Sequence, residues 1–419
     1  MEALEMWSEI GVQIVADVEL RESTDGGTGG LGVYARAAAA SGDVILRAPL
    51  RGCLTLANPR LREGAETMGL LCELARHGAQ CKLAAMVAIE MTRRSIAFAA
   101  WLERWPRPIE GSLGWRAGGE EWRRLAAGLG DRSVRVLHEQ HLAMASRAWT
   151  EVIEPSVSRA AAGGESTGEP DAVGSLTWER WLYALSMVLS RALDLRVNDE
   201  SELAIVPLID MLNHTRSSAD SCHVRFDPSA QAFELVASVP ITEGAELKIC
   251  YGAKGNEELL ACYGFALGEN GADRLGLALP FGRPDEPQIL TMHRMAMLPS
   301  PVVKVINLRE VEGSGRVATL EVHWDEQRKE ARLADEMLLL LRLSVLDMGD
   351  LPSITLALEG EPVSADAEAR AWSALCTAAA AALDASQQRE AAVDDSIDVL
   401  DRSLRELAEA VRRLALRKK

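Results

Sequence analysis

The sequence predicts an α+β protein in which a β-rich unit is interrupted by a helical insert and followed by a mostly α-helical unit. Short apolar runs bounded by turn residues, which are typical of strands, fill about the first sixty residues and return near residue 203. Apolar residues at helical spacing occupy the stretch between them and return beyond residue 283. The length of 419 residues suits two or three compact units.

The first β-rich part, residues 1–60, has three predicted extended segments. They lie at residues 12–18, 32–35 and 44–46, and a Gly-rich segment at 25–30 and a turn at 41–43 separate them. The helical insert, residues 61–176, ends in a polar loop at 161–174. Its helical spacing is carried by two sets of residues: Leu83, Met86, Val87, Ile89 and Glu90, and Trp122, Leu125, Leu129, Val134 and Leu137.

The second β-rich part, residues 177–275, opens with the clearest helical pattern of the chain, which predicts a helix over Thr177–Leu195. Predicted strands follow at 203–209, 224–227, 233–239 and 247–250. The last part, residues 276–419, is predicted to be helical apart from one hairpin at Val317–Trp324. It ends in an amphipathic stripe formed by Leu400, Leu404, Leu407, Val411 and Leu414.

Composition and charge argue against several classes of protein. The sequence has no run of 18 apolar residues, so it predicts no membrane span. A net charge of −17 disfavours binding to nucleic acid, which needs basic surface, and it suits a protein partner with a basic segment. The seven scattered cysteines predict reduced thiols, with no disulfide framework and no metal site. No targeting segment is visible, and we expect a cytoplasmic monomer, with the nucleus and the chloroplast as alternative compartments.

Four short segments carry residues that could take part in chemistry. Each alone is a weak signal, because a G-x-G motif often marks a turn, a lone histidine is often structural, and Tyr-Gly often ends a strand. Their order and spacing along the chain make the stronger signal. The segments are Gly30-Leu31-Gly32, Ser190-Arg191, Asp210-Met211-Leu212-Asn213-His214, and Gly244 to Gly252 followed by Tyr263-Gly264-Phe265.

Together these segments resemble the SET-domain protein methyltransferases, and more closely the branch of Rubisco large-subunit lysine methyltransferase and actin-histidine methyltransferase. The stretches LAIVPLIDMLNHT (203–215) and ITEGAELKICYGAKGNEELLACYGF (241–265) carry most of the resemblance. It implies a SET fold with a knot-like C-terminal crossing, whose two parts are residues 1–60 and 177–275. It also implies a Rubisco-methyltransferase-like substrate-binding domain at 276–419, S-adenosylmethionine as cofactor and a protein as substrate.

The glycine loop and the Asn-His pair fit a site for this cofactor. Gly30 and Gly32 let the main chain approach a ligand closely, and in the family this loop, which here includes Leu31, touches the amino-acid end of the cofactor. In the family the asparagine, here Asn213, meets the same end, and the backbone of the histidine, here His214, meets adenine.

Arg191 and Asp210 complete the cofactor site that the resemblance implies. The guanidinium of Arg191 offers a planar fork for a carboxylate. An interface salt bridge, for example to Asp210, is the alternative for this arginine. Tyr34 stands where relatives more often carry a small, apolar or basic residue, and this puts the cofactor contact there in doubt.

Tyr251 is the catalytic residue that the resemblance implies. The family places this hydroxyl beside the transferring methyl, at the floor of a narrow channel between substrate and cofactor. Methyl transfer is an in-line displacement, and alignment of donor and nucleophile can supply about 7–11 kcal/mol of the barrier. Tyr263 and Phe265 fit the wall of the substrate channel, and Phe265 is also predicted to contact the cofactor; ordinary core aromatics are the alternative for both. Two of the four tyrosines of the chain thus fall in the predicted site.

The acceptor is predicted to be a lysine of a non-histone protein. Leu193 stands two residues beyond Arg191, where the histidine-modifying relative has a polar residue and lysine-modifying relatives an apolar one. An apolar, aromatic channel also lowers the cost of deprotonating a lysine, which is about 4 kcal/mol at neutral pH. A protein-histidine methyltransferase and a non-catalytic SET-like binding module remain the alternatives.

Overall fold

The computed structural model describes residues 7–23, 30–63, 65–93, 96–106, 133–163, 172–268, 270–281, 288–298, 309–311, 315–325, 330–387 and 395–418. Residues 25–29 of the glycine segment and the predicted helical residues Trp122, Leu125 and Leu129 lie outside these ranges. The described chain divides into two compact units. The first runs to Phe265 and the second from Ala266, except that Ser133 and residues 255–257 group with the second.

The first unit is built on two sheets. Its described strands are β1 (Gln13–Ile14), β2 (Val18–Glu22), β3 (Leu31–Ala35), β4 (Val44–Pro49), β5 (Leu54–Thr55), β6 (Leu193–Val197), β7 (Glu200–Ile205), β8 (Asn213–His214), β9 (Cys222–Asp227), β10 (Ala232–Ala237) and β11 (Glu246–Ile249). The larger sheet has the order β1-β4-β10-β9-β11-β3-β2, and β8 pairs with β11. The smaller sheet has the order β5-β7-β6.

Helices lie between and after these strands. In the first unit they are α1 (Ala65–Glu73), α2 (Gly78–Arg93), α3 (Ile96–Leu102), α4 (Ser133–Ala148), α5 (Glu154–Gly163), α6 (Trp178–Arg191) and α7 (Asn256–Tyr263). Helices α2 and α6 pack against each other, and their apolar faces join the strands in one continuous core. The predicted helical spacing at residues 83–90 is confirmed, and so is that of Val134 and Leu137 within α4.

The helix predicted over Thr177–Leu195 ends earlier than its pattern indicated. Thr177 caps its start by accepting a hydrogen bond from the backbone N–H of Arg180 at 3.3 Å, but the helix stops at Arg191. The chain then continues as the strand β6. After this strand, Asn198 and Asp199 adopt positive φ angles of 51° and 68°. These angles form the two-residue turn of a β6–β7 hairpin.

The second unit combines a small antiparallel sheet with helices. Its described strands are β12 (Arg274–Pro280), β13 (Arg309–Val311), β14 (Gly315–Asp325) and β15 (Glu330–Arg332). Its described helices are α8 (Gln288–Ala296), α9 (Asp335–Ser344), α10 (Thr355–Leu358), α11 (Ala365–Gln387) and α12 (Asp395–Lys418). The sheet has the order β12-β14-β13, with β15 also paired to β14.

The hairpin predicted at Val317–Trp324 is wrong, since these residues lie within the single strand β14. Ala318, Leu320 and Val322 alternate along it and are fully buried, while β12 pairs along most of its length. The amphipathic stripe of the C-terminus is confirmed, because Leu400, Leu407 and Val411 of α12 are buried.

The described residues were searched for disulfides, metal-binding clusters and membrane-spanning helices. All seven cysteines are free thiols. In the described ranges no three histidine, cysteine, aspartate or glutamate side chains are placed to hold a metal ion. A search of the same residues for a helix long and apolar enough to cross a membrane finds none.

Candidate functional site

Strand β11 brings together three of the four segments that the sequence singled out. It pairs antiparallel with β3, with Leu247 opposite Val33. It pairs parallel with β8, so that Lys248 lies beside Asn213. The glycine loop, the Asn-His pair and the segment leading to Tyr251 are therefore neighbours in space.

A polar cluster occupies one face of these strands. The Asn213 Nδ2 group donates to Oε1 of Glu246 at 2.7 Å, and the Ser23 hydroxyl donates to the same oxygen at 3.0 Å. The Lys248 ammonium lies 3.3 Å from the other carboxylate oxygen, Oε2. All three contacts converge on Glu246, whose carboxylate is consequently held in one place.

Gly32 lies directly against this cluster. A Cβ atom at this position would be 2.5 Å from Oε1 of Glu246 and 3.2 Å from Nδ2 of Asn213. The sequence predicted that Gly32 is a glycine so that the main chain can approach a ligand, and packing against Glu246 gives an independent reason. Gly30, by contrast, has open space around it and a φ angle of +116°, and Leu31 beside it is 40% exposed.

Asp210 lies in a closed pocket of hydrogen-bond donors. Its Oδ2 accepts from the indole N–H groups of Trp105 at 2.8 Å and of Trp101 at 3.1 Å. The Arg191 guanidinium donates to the Asp210 carbonyl oxygen at 2.6 Å and lies 3.8 Å from Oδ2. Burial raises the pKa of Asp210, while Arg191 and the two indoles oppose that rise. The salt bridge stated as the alternative for Arg191 is thus present, and the Asp210 carboxylate is occupied by protein groups.

Four aromatic side chains form a second cluster around Tyr251. The rings of Tyr251 and Tyr263 stack with centroids 4.8 Å apart. The imidazole of His214 lies 5.0 Å from the Tyr251 ring and 6.1 Å from the Phe265 ring. The aromatic residues of the last predicted segment therefore lie against the histidine of the Asn-His pair. Leu193 is half-buried at the start of β6, opposite Ala204.

Two hydrogen bonds fix Tyr251. Its hydroxyl donates to the carbonyl oxygen of Leu212 at 2.7 Å, and its backbone N–H donates to Nδ1 of His214 at 3.1 Å. Burial, together with the nearby cations Arg216, Lys254 and Lys248, lowers the pKa of His214 from 6.5 to about 4. The imidazole is therefore neutral at neutral pH, which leaves Nδ1 free to accept this bond.

Burial also acts on Tyr263. It raises the pKa of this phenol, and the neighbouring Cys262, Tyr251 and Glu258 act in the same direction. The Tyr263 hydroxyl therefore stays protonated at neutral pH and the ring itself is uncharged, while the Lys254 ammonium lies 5.9 Å from the ring centroid.

A cavity of about 440 Å³ opens beside the polar cluster, with Arg21, Tyr34, Glu246 and Lys248 in its lining. The Arg21 guanidinium stacks on the Tyr34 ring at 3.6 Å. The Tyr34 hydroxyl is buried and makes no hydrogen bond within the described residues. A second orphaned donor is Nε of Arg191, which is likewise buried without a partner in the described chain.

Sequence reasoning missed Glu246, Trp101 and Trp105. The one available signal for Glu246 was the alternation of residues 246–249, which places Glu246 and Lys248 on the same side of a strand. Nothing in the sequence pattern linked the two tryptophans to Asp210, more than a hundred residues away.

Comparison with the sequences of known proteins identifies relatives of this chain. Over 208 residues the chain is 28% identical to the actin-histidine N-methyltransferases of Mus musculus and Homo sapiens, covering 48% of this chain and 32% of those proteins. The match thus spans about a third of the length of these relatives. No protein-family model matches the chain.

Solved structures extend the likeness to the whole chain. The SET domain of LSMT bound to lysine and AdoHcy superposes with a TM-score of 0.70 at 17% identity, covering 100% of this chain and 91% of that one. Rubisco LSMT bound to AdoMet gives a TM-score of 0.65 at 17% identity with the same coverage. The chain therefore has the SET-domain methyltransferase fold, as the sequence predicted.

Proposed function

We propose that this protein is an S-adenosylmethionine-dependent methyltransferase that methylates a lysine side chain of a non-histone protein. One observation carries the proposal. The Tyr251 hydroxyl is anchored to the Leu212 carbonyl within an aromatic cluster, and the adjoining Asn213-His214 pair leads to a polar cluster. The shared fold with structures described as bound to AdoMet, AdoHcy and lysine supports it.

The residues present fit this cofactor. Its α-amino acid group needs acceptors for an ammonium and donors for a carboxylate, and its adenosine needs half-buried polar contacts. The amide of Asn213 and the glycine loop at Gly30, Leu31 and Gly32 would hold the amino-acid end. Arg191, with its buried and unpartnered Nε, would supply a donor. When bound, the cofactor supplies a methyl group on a positively charged sulfur.

Tyr251 and its neighbours would align and stabilise the transfer. The Tyr251 hydroxyl donates its hydrogen to the Leu212 carbonyl, and its oxygen, like that of any hydroxyl, can also accept through its lone pairs. Such oxygens can hold a polarised methyl by weak C–H···O contacts and favour a cationic centre electrostatically. Since the chemical step needs no covalent enzyme intermediate, alignment is the main contribution of the protein.

The acceptor nitrogen must be neutral to attack. A lysine pays about 4 kcal/mol to lose its proton at neutral pH, and an aromatic, uncharged wall reduces this cost by disfavouring the ammonium. Tyr263 and Phe265 would form that wall. The half-buried, apolar Leu193 favours a lysine in our proposal, because it offers no group to orient an imidazole.

A protein histidine is the second candidate acceptor. It is favoured by the 28% identity to actin-histidine N-methyltransferases, and an imidazole needs no costly deprotonation because its usual pKa is near 6.5. The negative charge of −17 suits a basic segment around either target residue.

Two experiments test the proposal in sequence. Titration calorimetry with S-adenosylmethionine should show binding at micromolar concentration, and no binding up to high micromolar concentration would contradict both enzyme candidates and leave the binding module. The purified protein is then incubated with a cell lysate and labelled cofactor, and mass spectrometry identifies the labelled residue. Label on lysine supports the proposal, whereas label confined to histidine establishes the second candidate.

A further inference from the structure

We propose that Glu246 is a positioning residue for the methyl donor: it orients the Asn213 amide and supplies the negative charge that faces the donor's α-ammonium group. The inference rests on the proposed function and adds a residue that the sequence did not assign to the site.

The orientation of the Asn213 amide follows from its partner. An ionised carboxylate can only accept hydrogen bonds, so Glu246 binds the Nδ2 side of the amide, at 2.7 Å. A flipped amide would bring two acceptor oxygens together. The Oδ1 oxygen of Asn213 is therefore turned away from Glu246, where it can accept from a ligand.

Three further residues surround the Glu246 carboxylate. Ser23 donates to Oε1, Lys248 pairs with Oε2, and Gly32 leaves the space into which Oε1 fits. The glycine loop and the Asn213 amide thus both lie against Oε1, while the Lys248 ammonium pairs with Oε2. An α-ammonium placed between them gains a charge-assisted interaction.

Binding of the α-ammonium group by Glu246 and a purely structural role of Glu246 predict different effects when its charge is removed. A structural residue affects every ligand of the site alike, because its loss disturbs the strands. A residue that acts on the ammonium affects only ligands that carry one. Two ligands test the difference: S-adenosylhomocysteine, and its deaminated analogue, which keeps the adenosine and the carboxylate and lacks only the α-amino group.

The experiment measures the dissociation constants of both ligands by calorimetry for the wild-type protein and for Glu246→Gln. Glutamine keeps the size and one acceptor oxygen but removes the charge. We expect Glu246→Gln to weaken S-adenosylhomocysteine binding about tenfold, the size of one charge-assisted hydrogen bond, and to leave binding of the deaminated analogue within about twofold. Glu19→Gln is the matched control, since Glu19 lies opposite Tyr34 on β2 and its ion pairs within the described residues are with the exposed Arg21 and Arg36. It should change neither constant.

The outcomes are distinct. Equal weakening of both ligands in Glu246→Gln assigns a structural role and overturns the proposal, as does unchanged binding of both. If Glu246→Gln does not fold, Ser23→Ala decides, because it removes one bond to Oε1 and should reduce the preference for the aminated ligand about threefold; an unchanged preference contradicts the proposal. A folded wild-type protein that binds neither ligand contradicts the proposed function as well.

Discussion

The hydroxyl of Tyr251 donates to the carbonyl oxygen of Leu212 at 2.7 Å, so the catalytic candidate is tied to the segment that carries Asn213 and His214. The backbone N–H of Tyr251 bonds to His214 as well, which makes two links over a sequence separation of 37 to 39 residues. The ring consequently has one orientation before any ligand arrives. Such preorganisation is what alignment catalysis requires.

Tyr251→Phe should lower methyl transfer on the order of 100-fold, because it removes the oxygen proposed to stabilise the transferring group. The phenyl ring keeps the stacking on Tyr263, so the affinity for S-adenosylmethionine should stay within about twofold. Label transfer and calorimetry measure the two quantities. Tyr183→Phe is the control, since it also removes a hydroxyl that donates to a backbone carbonyl, that of Pro106 at 3.2 Å, but away from the site. Full activity in Tyr251→Phe would contradict the catalytic assignment.

Gly32→Ala should destabilise the protein by about 1–3 kcal/mol, since the new Cβ overlaps Oε1 of Glu246. In the double variant Gly32→Ala/Glu246→Ala the overlap is gone, so the two losses should be less than additive. Urea unfolding measures both. Gly69→Ala, in α1 with open space around it, is the control and should leave the protein as stable or about 0.5–1 kcal/mol more stable. Additive losses would mean that Gly32 is not constrained by Glu246.

Part of the candidate site could be recognised from the order of short segments along the chain. Asn213, His214 and Tyr251 belong to segments at the ends of adjacent strands, and their order along the chain matched a known pattern. Glu246 was missed because Gly32 lies more than two hundred residues earlier, and only the register of β3 with β11 brings them together. Sequence alone does not reveal such a register.

Two errors of secondary structure have a common cause. Leu193 and Leu195 continue the helical period of α6, yet the Asn198-Asp199 turn pairs them into a hairpin. The eleven residues of β14 were divided into a predicted hairpin, although β12 and β13 cover them as one strand. In both cases strand pairing, which the local apolar pattern does not reveal, decided the outcome and overrode propensity.

Trp105→Phe should lower the free energy of unfolding by about 1.5–3 kcal/mol, in addition to the effect of the smaller ring. The reason is that it removes a hydrogen-bond donor to the buried carboxylate of Asp210. Trp101 alone then remains as an indole donor. Trp372→Phe is the matched control: its indole donates to Glu368 at 3.0 Å, but that carboxylate is 21% exposed, so water can replace the lost bond. Denaturant unfolding of each variant measures the losses. An equal loss of stability in Trp105→Phe and Trp372→Phe would show that the burial of Asp210 does not increase the cost of removing a hydrogen-bond donor.

Stability should fall in mild acid through His214. Its pKa is lowered from 6.5 to about 4 in the folded protein by burial and by Arg216, Lys254 and Lys248. Between these two values the unfolded chain takes up a proton at this position that the folded chain does not. The free energy of unfolding that the neutral His214 contributes is therefore fully present above about pH 6.5. It declines as the pH falls and stays constant at its lowest value below about pH 4.

Urea unfolding at pH 7 and pH 5 measures this effect. The free energy of unfolding should fall more between the two pH values for the wild-type protein than for His214→Gln, whereas His293→Gln, on the exposed side of α8, should follow the wild type. An equal loss in the wild type and His214→Gln would show that the imidazole is not held neutral by its surroundings.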